Sequence, residues 1–117
     1  MDIRAIEGEN YLVQCDDQTA TITFQGSLRL SGPDAYMPIN NLMGDLLKQG
    51  PELIKLNLRD LRFLNSSGIS MISKFVIRVR STKTVSMVVV GSQDTPWQGK
   101  SLKNLQRLLP SLEIVLE

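Results

Sequence analysis

Three apolar runs, each reached through a segment of helical periodicity, constrain this chain more than any other feature. Leu53-Ile54-Lys55-Leu56-Asn57-Leu58, Val85-Ser86-Met87-Val88-Val89-Val90 and Leu112-Glu113-Ile114-Val115-Leu116 all read as strands. The intervening segments place apolar residues on one helical face. Ile39, Leu42, Met43, Leu46 and Leu47 do so before the first run, and Ile69, Ile72, Phe75, Val76 and Val79 before the second. A third helix is expected from about Gly99 to Leu109, stopped by Pro110. Strands joined through helices favour right-handed crossovers and parallel pairing. Ahead of them, Tyr11–Cys15 and Thr19–Gly26 read as a hairpin turning at Asp16-Asp17-Gln18, with threonines on its solvated side. The reading is one α/β domain over residues 1–117, a mixed sheet of about five strands in the order β-β-α-β-α-β-α-β. Its expected core is Leu12, Ile22, Phe24, Leu42, Leu46, Leu56, Leu58, Ile72, Phe75, Val76, Val88, Val90, Leu105 and Leu109, with Cys15 as a small buried hydrophobe.

Residue usage excludes much chemistry. The 117 residues contain no histidine and one cysteine. That removes a Ser–His or Cys–His nucleophile pair, a His-ligated metal, a cysteine metal cluster and an internal disulfide. No catalytic or metal-ligating constellation is visible and no cofactor is expected. The formal net charge is +1, so nucleic acid and anionic membrane are not expected partners. The longest apolar run is Met87–Val90, far below the ~20 residues of a membrane helix. Charges fill the N-terminus where a signal peptide needs an apolar stretch, and a cytoplasmic protein is expected.

Two segments stand out. Asn65-Ser66-Ser67-Gly68 opens the second helix, where small polar residues cap free N–H groups and where one serine is expected to cap while the other points outward. The same helix start would also accommodate a phosphate. Residues Arg59–Lys83 carry a net +5 against −4 for the rest of the chain. On this helix Ser67, Ser70, Met71, Lys74 and Arg78 fall on the side opposite the apolar stripe, which reads as a solvated face or as a surface for an acidic partner. The second segment, Asp94–Ser101, ends in the Gly99-Lys100-Ser101 of a phosphate-binding loop. Asp94 replaces the first glycine of that pattern, Pro96 removes a cradling N–H and Trp97 fills space, so nucleotide binding is not expected.

The stretch Leu53–Phe75, LIKLNLRDLRFLNSSGISMISKF, resembles the STAS family, the anti-sigma factor antagonist domains. Their signature is an apolar strand, a short turn with an apolar pair, and D-S-[SA]-G opening a helix. The resemblance implies a non-enzymatic switch with no small-molecule substrate. In such a switch the second serine is phosphorylated by a partner serine kinase of the anti-sigma type and dephosphorylated by a PP2C-type phosphatase. Carried over, the phosphoacceptor is Ser67, with Ser66 beside it, and Asn65, Gly68, Ser70, Met71, Lys74, Arg78 and Arg29 belong to the partner face. The motif's leading Asp is Asn65 here, and the family's G-x-[LI]-D loop reads Gly26-Ser27-Leu28-Arg29. Arg29 is expected to stabilise a phosphorylated form if it reaches Ser67. The alternative is a constitutive, never phosphorylated module of the same fold, serving as an accessory subunit of a transport or signalling complex.

Overall fold

The computed structural model describes residues 3–117. Six strands follow one another across a single sheet in chain order: β1 (Ile3–Glu7), β2 (Tyr11–Asp16), β3 (Thr21–Leu28), β4 (Leu53–Leu64), β5 (Ser86–Gly91) and β6 (Glu113–Leu116). The first three pair antiparallel and the last three join them in parallel. Helices α1 (Gly32–Ala35) and α2 (Met37–Lys48) lead into β4, α3 (Ser66–Thr82) into β5, and α4 (Pro96–Leu108) into β6. Strand order never reverses. Successive right-handed crossovers therefore put every helix on the same face.

Burial follows this one-sided layering. In β4, Ile54, Leu56 and Leu58 are fully buried while Lys55 and Leu53 are exposed. Ile22, Leu56 and Val89 sit side by side in register and meet Ile39, Met43, Ile72, Phe75 and Val76 from the helices. Burying each such side chain contributes about 1.5–3 kcal/mol. Thr21, Thr23 and Lys55 line the opposite, uncovered face.

The expected α/β layout and helices stand, with three corrections. The sheet has six strands, because Ile3–Glu7 forms an edge strand on β2. Its alternation is masked by Arg4, whose guanidinium donates to Asp17 at 2.8 Å, so a charged residue occupies an inward position. Strand β4 runs on to Leu64 and carries two extra residues relative to β3, one between Asn57 and Asp60 and one between Leu61 and Phe63. Such bulges break the period-two pattern. Finally, Val13 and Cys15 face the core in β2 and Leu12 is only half-buried. In β5, Met87 and Val89 face it, Val88 is only half-buried, and Val90 is buried outside the main core cluster. A continuous apolar run such as Met87–Val90 has no alternation to reveal its inward face.

Candidate functional site

The parallel strands β3 and β4 end together, and α3 leaves from that edge. The junction is held by one side chain. Asn65 Oδ1 accepts from the Gly68 amide at 2.9 Å and from the Tyr36 hydroxyl at 2.7 Å, while Asn65 Nδ2 donates to the Leu30 carbonyl at 2.8 Å. Its own amide donates to the Leu28 carbonyl at 3.2 Å. Asn65 thus caps α3 and ties the β3 exit loop and the α1–α2 junction to it. The carboxamide is required, since an aspartate would set an oxygen against the Leu30 carbonyl instead of a donor. Tyr36 is 1% exposed, and burial raises its hydroxyl pKa.

Neither serine caps the helix, contrary to the sequence expectation. A carboxamide that both accepts and donates satisfies more of the junction than a hydroxyl. Ser73 and Ser81 donate back to the Ile69 and Ile77 carbonyls of their own helix, whereas Ser66, Ser67 and Ser70 make no hydrogen bond through their hydroxyls among the described residues. These three hydroxyls line a groove of about 420 Å³ between the α1–α2 pair and α3. Pro33, Tyr36, Met37, Asn40 and Met71 form its apolar and amide surface, with Lys74 and Arg78 continuing along α3. Met71 is not on a solvated face as the helical spacing suggested, because it is 7% exposed and packs into the core beneath the groove. No carboxylate lines it. Met37 is 45% exposed, although the apolar periodicity of its helix draws attention only to the core face. Pro33, Tyr36, Met37 and Asn40 had no signal in the sequence, because they meet α3 only through the fold.

Gly68 faces inward from α3. A Cβ on it would collide with the Leu64 side chain and lie 2.8 Å from the Tyr36 hydroxyl. Its lack of a side chain allows close packing of helix on strand beneath the groove. Arg78 lies against α2, its Nη1 3.0 Å from where a Cβ on Gly44 would sit. Arg29 does not join the groove. Its guanidinium stacks over the Phe63 ring at 4.3 Å and lines a separate cleft with Glu9, Asn10 and Tyr11. Of the phosphate-loop-like segment only Asp94 and Thr95 lie outside a helix, since Pro96–Ser101 are already helical. There the buried Gln98 donates to the Leu58 and Leu61 carbonyls at 2.6 and 3.1 Å and accepts from the Ser92 amide at 2.7 Å. Among the described residues no carboxylate, cysteine and histidine cluster could hold a metal, and no helix is long and apolar enough to cross a membrane.

No protein-family model and no curated protein matches the sequence. Solved structures do match. SiaC from Pseudomonas aeruginosa in its apo form superposes with a TM-score of 0.74 at 14% identity, over 100% of this chain and 99% of that one. An anti-sigma factor antagonist from Mycobacterium paratuberculosis superposes with a TM-score of 0.59 at 15% identity, over 96% and 86%. The chain has the STAS-type fold. A third match is SiaC in complex with the diguanylate cyclase SiaD, which it activates, at a TM-score of 0.71 and 15% identity over 97% and 99%. At these identities the shared property is the STAS-type architecture, which the motif at Asn65–Gly68 had pointed to.

Proposed function

We propose that this chain is a non-enzymatic regulatory binding protein whose partner docks on the groove beside the start of α3, under control of phosphorylation at Ser67 or its neighbour Ser66. The observation that carries the reading is the division of labour at Asn65–Gly68. Asn65 does the capping, so the serine hydroxyls stand free in a groove with apolar and cationic walls. Such a surface suits a partner with apolar anchors and acidic flanks. A phosphate on Ser67 adds about −1.5 to −2 charge inside the contact and disrupts it by desolvation and altered charge. Addition would need a serine kinase and removal a PP2C-type phosphatase. Gly68 supports the surface from beneath, and Arg29 lies outside it.

The partner is a signalling protein. A serine kinase of the anti-sigma type is the partner that the family resemblance at Asn65–Gly68 implies. A second reading, a module that activates a signalling enzyme such as a diguanylate cyclase, is favoured by the higher TM-scores of SiaC and does not require phosphorylation. One experiment separates them. The protein is recovered from the cell that makes it, stressed and unstressed, and the tryptic peptide Phe63–Lys74 is mapped for phosphate. Condition-dependent phosphate on Ser67 or Ser66 supports the switch. A co-purifying partner with no phosphate in either condition supports the constitutive module.

A further inference from the structure

We propose that Ser70 is a second phosphoacceptor, whose phosphate is held in the groove by Lys74 and Arg78 and closes the docking surface by occupying it. This rests on the reading of the groove as a docking surface but concerns a different residue and a different mode of control. Ser70 is exposed on α3 and its hydroxyl is uncommitted among the described residues. It lines the groove together with Lys74 and Arg78. The three lie at i, i+4 and i+8 on one helical face, spaced about 6 and 12 Å along the axis.

Neither cation has an ion-pair partner among the described residues, in contrast to Arg4 and Arg59. No carboxylate lines the groove to compete for them or to repel an anion. Arg78 is also seated against the α2 backbone at Gly44, which holds its guanidinium over the groove. An anion tethered to Ser70 would therefore meet Lys74 one turn away and fill the space a partner needs. Ser67 differs in position. It lies one turn nearer the helix start and two turns from Lys74, so a phosphate there adds charge at the groove's end and leaves the cationic wall open. In the modification itself a nucleoside triphosphate gives up its γ-phosphoryl group to Ser70 Oγ. The hydroxyl proton passes to a base on the kinase and the nucleoside diphosphate departs.

The test places phosphoserine at position 70 by site-specific incorporation in the full chain, with phosphoserine at the exposed Ser111 as control. Phosphorus NMR then follows titration of the phosphate. Capture predicts a second ionisation below the about 6 of a free phosphoserine, by roughly half a unit or more relative to position 111. It also predicts a return to the control value in Lys74→Met/Arg78→Met. Equal titration at 70 and 111, or a shift that survives the double substitution, overturns the capture. Mapping of the native Phe63–Lys74 peptide tests the modification separately. Phosphate assigned to Ser70 supports it, and its absence there under all growth conditions overturns it. Failure of the groove as a docking surface would leave the titration result intact, so the two readings fail separately.

Discussion

At the scale of single residues, Asn65 decides the site. It satisfies an amide, a hydroxyl and a carbonyl from three different segments. Asn65→Asp keeps the cap acceptor but loses the donor to Leu30. We expect it to cost about 1–3 kcal/mol, read as a lower urea midpoint. An unchanged midpoint would show that the Leu30 contact carries nothing. Tyr36→Phe should cost less, about 0.5–1.5 kcal/mol, because only one hydrogen bond is lost. The sequence announced position 65 as a helix start but not which residue caps. That choice depends on Tyr36 and Leu30, which are distant in the chain. Arg29 shows the reverse. Its charge was plain in the sequence, and its stacking on Phe63 was not, because the cross-strand neighbour depends on the bulges in β4.

Among the elements, α4 and β4 form a joint that periodicity could not reveal. Beyond Asn57, β4 has no pairing with β5, and its free carbonyls at Leu58 and Leu61 are taken by Gln98, with Trp97 Nε1 also donating to Leu61 at 3.2 Å. Gln98→Leu would leave both the Leu58 carbonyl and the Ser92 amide without this partner. It should destabilise by several kcal/mol, on the order of 1–3 per buried group, whereas Lys100→Ala should change the melting temperature little. Equal effects of the two would contradict the joint. Helices were legible because their apolar stripes are long. Strand faces were less so, since β1 hides a charge inward, β4 is bulged and β5 is apolar on both faces. The groove was half legible. Its α3 wall followed from helical spacing, but its α1–α2 wall came only with the fold.

Across the whole molecule, two features set its response to solvent. The sheet edge is fastened by Arg4 and Asp17 at 2.8 Å. The hydrogen bond from Arg4 holds the Asp17 carboxyl below the usual carboxylate range. A group with a depressed folded pKa contributes stability above its unfolded pKa and loses it as pH falls through the folded value. Acidification below the ordinary carboxylate range should therefore destabilise the native protein more than Asp17→Asn, and parallel acid-unfolding curves would refute this. Cys15 lies beneath the same pair. Burial pushes its thiol up to about 11, so native protein at pH 8 should resist alkylation that the unfolded chain undergoes readily. The second feature is charge segregation. With a net +5 over Arg59–Lys83 and a groove bare of carboxylates, partner association should weaken as salt rises.

The most direct test of the central claim is retention of the native partner by variants of the groove. Tagged wild type, Ser67→Ala, Ser67→Asp and Met37→Glu, the last at the exposed apolar residue of the groove, are compared at equal expression and confirmed fold. Wild type and Ser67→Ala should hold the same partner, and Ser67→Asp and Met37→Glu should lose it. A partner held equally by all four would place the contact elsewhere and contradict the account.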